Sequence, residues 1–279
     1  MGVINKCLFP VAGHGTRFLP ATKAIPKEML PILTKPLIQY GVEEAMSAGM
    51  GAMAMVTSKY KQAIENHFKP HADIEKSIQG TEKEQLLDEV NYISDRCNFN
   101  YINQEQMLGL GHAIYTGKPL IGNEPFAVIL PDDLCVNDDD SVLKQMTKLH
   151  KQHQNCCIVA IEEVPMAEVD KYGVIDGELL KDSSSAYRVN TMVEKPNPKD
   201  APTNLAIIGR YILTPEIFDI LENTKSDKNG EIQITDALMT LAKQGKVIAY
   251  KFQGTRYDCG NVKGFVVATN AFAKAQGLI

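Results

Sequence analysis

Two short strings near the start of a 279-residue chain gather glycines and cations: Ala12-Gly13-His14-Gly15-Thr16-Arg17 and Pro26-Lys27-Glu28-Met29-Leu30-Pro31. Glycines at 13 and 15 let a backbone approach a ligand closely, and successive N–H groups in such a turn form a concavity for an anion. Arg17 adds a forked cation suited to phosphate oxygens, and Lys27 a movable point charge. The pattern is neither the P-loop, whose Gly-Lys-Ser/Thr ending it lacks, nor the dinucleotide fingerprint, whose third glycine is missing. A bare Gly-x-Gly is also a tight strand-to-helix turn; Thr16-Arg17 and the Lys27 string weight the reading toward an anion site. Lys23 and Lys35 read as solvated surface lysines.

Charge distribution supports this reading. Lys6, Arg17, Lys23, Lys27 and Lys35 against Glu28 give residues 1–35 a net +4, although the whole chain carries −5. A cationic island in an anionic chain suits a small anionic ligand and argues against a nucleic-acid polymer. A second candidate is Asp132-Asp133 after the apolar run 126–130. Such a pair is either a helix-capping or solvated loop or a functional site, and its place after a central strand favours function. Other features read as structural. His67 and His71, like His150 and His153, lack a fitting Cys or Glu to complete a zinc set and read as solvated helix faces. Asp138-Asp139-Asp140 lacks the glycine and final Glu of a calcium loop and reads as a cap for a helix beginning near Ser141. Cys259 reads as packing.

The elements that must position these residues follow from apolar spacing. Residues 6–11 form a buried strand running into the glycine turn. Pro36 starts a helix with Ile38, Val42 and Ala45 on one face, ended by Gly49. Strands are predicted over 52–57, 126–130 and 157–161, and helices through Tyr60, Ile64 and Phe68, through Leu86, Val90 and Ile93, and through Val142, Met146 and Leu149. Alternating βα units imply a parallel sheet with right-handed crossovers and ligands beyond the carboxyl ends of its strands. The glycine turn and the Asp pair both fall there. From about residue 165, strands over 172–176, 187–194 and 205–213 joined by short polar turns predict an antiparallel sub-region at the substrate end. A final helix covers about 261–275.

Hydrophobic residues at 44 % and charged residues at 23 % are the balance of a soluble globular protein, long enough to bury a core without disulfide or metal staples. The six cysteines show no C-x-x-C spacing and mostly sit in apolar runs, the pattern of free thiols in a reduced, cytoplasmic protein. Residues 1–12 lack the organisation of a secretory signal. No apolar run approaches the roughly 18 residues that span a bilayer, so no membrane association is expected.

The two opening strings together resemble the signature of the sugar-nucleotide pyrophosphorylase family. The likeness extends through residues 19–31 and 35–40, Gln104-Glu105-Gln106-Met107-Leu108-Gly109-Leu110-Gly111-His112, Leu130-Pro131-Asp132-Asp133, Tyr172-Gly173-Val174-Ile175, Val193-Glu194-Lys195-Pro196, residues 230–236 and Tyr257-Asp258-Cys259-Gly260. It implies a Rossmann-like three-layer α/β nucleotidyltransferase fold with a mixed, mainly parallel central sheet and a smaller antiparallel sugar-binding sub-region. One domain, 1–279, is expected, with a mainly nucleotide-binding part (1–164), a mainly sugar-phosphate-binding part (165–260) and a C-terminal helix (261–279).

The string around Lys27 points within the family to uridylyl transfer. Glucose 1-phosphate would attack the α-phosphorus of UTP, giving UDP-glucose and pyrophosphate, a task of positioning and charge neutralisation. By resemblance, Arg17 with the amides of Gly13, Gly15 and Thr16 holds the triphosphate, Lys27 steadies charge near the α-phosphate, and Lys195 holds the sugar phosphate. Asp132 and Asp258 are the implied Mg²⁺ ligands. Gln104 and the backbone at Ala12, Gly13 and Gly109 are implied to select uracil. Gly173, Glu194 and Asn204 are implied to recognise glucose, and Asp133 either to help at the sugar or to support Asp132. A homo-oligomer, dimer or tetramer, is expected. The alternatives are another sugar-1-phosphate nucleotidyltransferase, such as a thymidylyltransferase, and a catalytically silent regulatory paralogue.

Overall fold

Apolar runs without alternation become strands buried on both faces, as parallel sheets require. The computed structural model describes residues 4–279; residues 1–3, where the expected nucleotide-binding part begins, lie outside the described residues. Its strands are β1 (Lys6–Pro10), β2 (Pro31–Ile32), β3 (Lys35–Pro36), β4 (Ala52–Thr57), β5 (Asn98–Asn103), β6 (Phe126–Ile129), β7 (Asp133–Val136), β8 (Cys157–Glu163), β9 (Gly173–Leu179), β10 (Ala186–Glu194), β11 (Leu205–Leu213), β12 (Val247–Lys251) and β13 (Thr255–Asp258). Nine of them form one mixed sheet in the order β5-β4-β1-β6-β11-β8-β12-β10-β9. β5, β4, β1 and β6 run parallel. β11 enters antiparallel between β6 and β8, β12 is parallel to β8, and β10 is antiparallel to both β12 and β9.

Successive residues of each strand feed opposite faces. Leu8, Val56 and Val128 join one buried cluster with the helices Gly109–Thr116, Glu216–Asn223 and Ile234–Ala242. Phe9, Met55 and Ile129 join the other with the helices Leu37–Ser47, Gln85–Arg96 and Val142–Gln152. Phe126 and Phe218 stack at 5.1 Å between centroids, a pair worth about 0.5–1.5 kcal/mol beyond area burial. The C-terminal helix Val262–Ala275 packs Phe265, Ala268 and Phe272 against Ile32, Leu134 and Tyr257. Among the described residues no helix is long and apolar enough to cross a membrane.

Several local expectations need correction. Tyr60 lies outside the helix Gln62–His67 and is three-quarters exposed, while the next residue, Lys61, turns inward to Glu28. Leu86 lies in its helix but faces solvent, and Ile93 carries the buried contact. The Asp138-Asp139-Asp140 run is not the cap: Ser141 Oγ accepts from Lys144 N, while Asp140 pairs with Lys144 and Lys148. His150 is buried, not solvated, with Nδ1 against Cys156 O at 3.2 Å. His67 and His71 belong to different elements: His67 ends one helix against Gln39, and His71 caps the helix Ala72–Ile78. Lys35 is held by Glu43 and Glu89 at 2.9 and 2.7 Å and lies over the Tyr40 ring.

Candidate active site

The polypeptide leaves β6 at Ile129, turns through residues 130–132 and immediately starts β7, which pairs antiparallel with β13 so that Asp133 faces Asp258. This two-stranded ribbon, standing at the carboxyl end of β6, brings together carboxylates far apart in sequence. A Cβ on Gly260 would lie 3.0 Å from Asp258 Oδ1 and 3.1 Å from Asp132 Oδ2; glycine there keeps the space between the two carboxylates open. Asp258 is itself held, Oδ1 accepting from Gly260 N at 3.0 Å and Oδ2 from Asn261 Nδ2 at 2.9 Å. Two hard oxygen donors around an open gap fit Mg²⁺, which takes one or two carboxylates and completes its shell with water and phosphate oxygens. Among the described residues no group of three or more His, Cys, Asp or Glu is arranged to hold a metal, so phosphate and water would have to supply the other ligands.

Behind this pair lies a saturated polar network. Asp133 Oδ1 accepts from Arg256 Nε and Nη2 at 2.7 and 2.6 Å, and Oδ2 from Gly209 N at 2.7 Å. Arg256 also pairs with Glu162 at 2.5 Å and lies over the Tyr172 ring. Arg210, 1 % exposed, donates to Leu130 O and Asp133 O, gripping the turn that carries Asp132 on either side. Its charge is balanced by Glu44, whose Oε1 also accepts from Leu143 N. Burial raises the Asp133 pKa above the ordinary aspartate value, and Arg256 only partly offsets it.

Lys27 Nζ reaches Asp132 Oδ2 at 2.5 Å. Burial opposes both charges, yet each stabilises the other: Lys27 stays above the ordinary lysine value and Asp132 below the ordinary aspartate value. The next residue, Glu28, is buried and pairs with Lys61 at 2.7 Å, leaving its Oε1 without a partner. That pair anchors the turn that presents Lys27. Gly15, at φ 67°, lies beneath it, and a Cβ there would meet Lys27 Cβ at 3.0 Å. Thr22 Oγ1 donates to Gly15 O at 2.8 Å. Gly13 and Thr16 are exposed and Ala12 is buried; a Cβ on Gly13 would meet nothing within 4 Å. Arg17, exposed, makes one long contact to Gly260 O at 3.4 Å.

On the opposite wall, Glu194 ends β10 beside Gly173 at the start of β9. Glu194 Oε2 accepts from Thr235 Oγ1 at 2.8 Å and Oε1 lies 3.4 Å from Lys195 Nζ. A Cβ on Gly173 would strike Thr235 Cγ2 at 2.7 Å and approach Glu194 Oε2 at 3.2 Å, so glycine is required by the neighbours as well as by any ligand. Lys195 holds a left-handed backbone, φ 46°, uncommon for a residue with a side chain. Gln104 is buried just past β5 and its backbone N donates to Thr57 O at 2.8 Å.

Arg17, Asp132, Asp133, Gly173, Glu194, Lys195 and Asp258 line one cavity of about 830 Å³, and Lys27 joins it through Asp132. Asn204 does not: its side chain donates to Val164 O at 3.1 Å, tying β11 to the end of β8. Gln104 and Gly109 lie beside the cavity, next to its wall residue Leu110. A second concavity of about 850 Å³ opens near Asn5, Gly51 and Cys97, at the opposite ends of the parallel strands, and its Lys35 is already paired. That concavity is remote from the charges that converge on the first.

Sequence reasoning missed Arg256, Arg210, Glu44 and the Glu28–Lys61 pair. Two had a signal. Arg256 stands two residues before Asp258 and so shares its strand face, and Arg210 is the one charge in the apolar string of β11.

Fold and site together define a nucleotide-handling transferase: a mixed α/β sheet with a cation- and carboxylate-lined cavity at the carboxyl end of its first strands. Residues 10–275 match the nucleotidyl transferase family profile, and the chain belongs to that family. It is 60 % identical over 269 residues to a UTP–glucose-1-phosphate uridylyltransferase of Pseudomonas aeruginosa, covering 96 % of this chain and 95 % of that one. A solved apo UDP-glucose pyrophosphorylase superposes with a TM-score of 0.94 at 61 % identity, covering 98 % of this chain and 99 % of that one. A UDP-glucose pyrophosphorylase complexed with UDP-glucose gives 0.90 at 59 %, with the same coverage.

Proposed function

We propose that this chain transfers the uridylyl group of UTP to glucose 1-phosphate, releasing UDP-glucose and pyrophosphate by direct displacement at the α-phosphorus. The observation that carries the proposal is the convergence of Arg17, the Lys27–Asp132 pair, Asp258 and the Glu194–Lys195 corner around one cavity. The names of relatives near 60 % identity support the choice of nucleotide and sugar.

The attacking sugar phosphate oxygen is already anionic, so the chain must bring two polyanions together rather than supply a base or nucleophile. Arg17 and the amides at Gly13, Gly15 and Thr16 hold the departing pyrophosphate, and Lys27 neutralises charge at the α-phosphate. Lys195 orients the phosphate of the incoming sugar. Mg²⁺, held by Asp132 and Asp258, supplies charge neutralisation on the phosphates when bound. Gln104 and the backbone at Ala12, Gly13 and Gly109 receive the uracil. Glu194 accepts from glucose hydroxyls beside Gly173, and Asn204, its amide spent on Val164 O, supports that end from outside the cavity. Asp133, its oxygens committed to Arg256 and Gly209, acts by supporting Asp132.

In the same reading the sheet is the centre of a Rossmann-like three-layer arrangement within one domain. Residues 1–164 serve mainly the nucleotide, 165–260, with the antiparallel strands β9–β11, mainly the sugar phosphate, and 261–279 form the C-terminal helix. The protein works in the cytoplasm as a homo-oligomer. Pyrophosphate release measured with UTP, glucose 1-phosphate and Mg²⁺, each omitted in turn, tests the function. Release is expected only in the full mixture; release without the sugar phosphate, or none with everything present, overturns it.

A further inference from the structure

One histidine of the string 104–112 has no role in the function above, and its surroundings give it one. His112 Nδ1 lies 2.8 Å from the side-chain nitrogen of Gln104, and the same nitrogen lies 3.5 Å from Gly109 O. A carbonyl only accepts, so N–H₂ as the Gln104 atom between these two neighbours can donate to both, whereas the flipped amide would keep only a bond from Nδ1–H and set oxygen against oxygen at Gly109. His112 Nδ1 must then accept, which places the ring proton on Nε2. Burial lowers the His112 pKa, favouring the neutral ring that this arrangement needs.

The loop that carries these groups is fixed. Gly111 N donates to Ile232 O and Ile232 N to Leu108 O, at 2.8 and 2.7 Å. A Cβ on Gly111 would strike Ile232 O at 2.6 Å, and Gly109 holds φ 89°. His112 is therefore presented to Gln104 by a backbone pinned on the neighbouring loop. Among the described residues no protein donor reaches Gln104 Oε1.

We propose that His112, as its Nε2–H tautomer, is a positioning residue for base selection: it locks the Gln104 amide with nitrogen inward, so that Oε1 meets the pyrimidine as an acceptor. This inference rests on the reading of Gln104 as the uracil contact. Uracil offers N3–H to that oxygen, whereas cytosine offers a lone pair at N3 and is repelled. Thymine shares the uracil edge, so the device sorts uracil and thymine from cytosine and leaves those two to be separated elsewhere. An amide free to flip would satisfy either edge, and discrimination would fall.

The test has a direct and a kinetic arm. In the wild-type protein labelled with ¹⁵N-histidine, long-range ¹H–¹⁵N correlation is expected to show His112 with its proton on Nε2; a proton on Nδ1 overturns the proposal whatever the variants do. In kinetics with glucose 1-phosphate, His112→Leu is expected to lower the UTP-to-CTP ratio of kcat/KM about tenfold, the worth of one lost hydrogen bond of about 1.4 kcal/mol. The loss should lie in KM for UTP, with kcat retained. His112→Asn, whose Oδ1 stands where Nδ1 stood, should keep the ratio. A folded His112→Leu with the wild-type ratio overturns the proposal, and if that variant does not fold the tautomer decides. Gln104→Leu separates the two levels. A collapsed ratio in that variant with an intact ratio in His112→Leu rejects the positioning role alone. An intact ratio in Gln104→Leu rejects the uracil contact beneath it.

Discussion

On the floor of the cavity, Asp133 and Arg210 have their polar atoms committed to several fixed partners, at 2.6 to 3.2 Å. On its rim, Arg17 and Lys195 extend into open space with one contact each, both at 3.4 Å. Under the proposed function the two regions meet different demands. A carboxylate pair that receives a hard cation has to stand at a fixed separation, and the interior network holds it there before any ligand arrives. A polyphosphate chain changes shape as pyrophosphate departs, and cations on long, loosely held side chains can follow it. Lys27 lies between these extremes, being half-buried and paired yet set on a turn of its own.

This contrast can be broken at its rigid end first. Arg210→Met leaves Glu44 buried without its ion-pair partner and frees the turn on both sides of Asp132. Loss of one partner of a buried pair costs about 3–5 kcal/mol, to be read by denaturant unfolding; an unchanged midpoint would show that the floor is not held as described. Asp132→Asn keeps the shape of the side chain but breaks its pair with Lys27 and weakens the proposed cation site. Turnover is expected to fall about 10²- to 10³-fold, checked by Mg²⁺ titration of the rate, with a smaller loss of stability than in Arg210→Met because the Lys27–Asp132 pair is only partly buried.

The rim should respond more mildly. Lys195→Ala is expected to raise KM for glucose 1-phosphate about tenfold, the scale of a hydrogen bond to a charged group, while KM for UTP holds; equal changes in both would mean that Lys195 serves no single substrate. Gly15→Ala sharpens the boundary between the two regions. Its left-handed backbone and the 3.0 Å approach to Lys27 are expected to cost about 1 kcal/mol of stability, measured thermally, together with a loss of turnover.

What was legible in the sequence was mostly local. The apolar string 52–57 is the strand β4, because a strand buried on both faces announces itself by composition. The glycine turn was legible for the same reason, since φ preference belongs to the residue itself. Pairings across the sheet were not. Nothing in the spacing says that β11 returns between β6 and β8, or that β13 crosses to β7, so the Asp132–Asp258 gap came only through family likeness. Charges buried far from their partners were misread most easily. Lys35 looked like a surface residue because Glu89 lies on a helix far along the chain, and His150 looked solvated because the carbonyl it faces belongs to a neighbouring turn.

The position of β11 bears on how the chain reaches this state. Residues 205–213 complete the middle of the sheet, so the edge of β6 stays unpaired until most of the chain has been synthesised. An apolar strand with an open edge invites pairing with another chain, and pairings distant in sequence form slowly. During synthesis the nascent chain therefore carries an aggregation hazard at the strand leading into the Asp132 turn. The strand that closes that edge carries Arg210, so one event shields the sheet and locks the carboxylate floor.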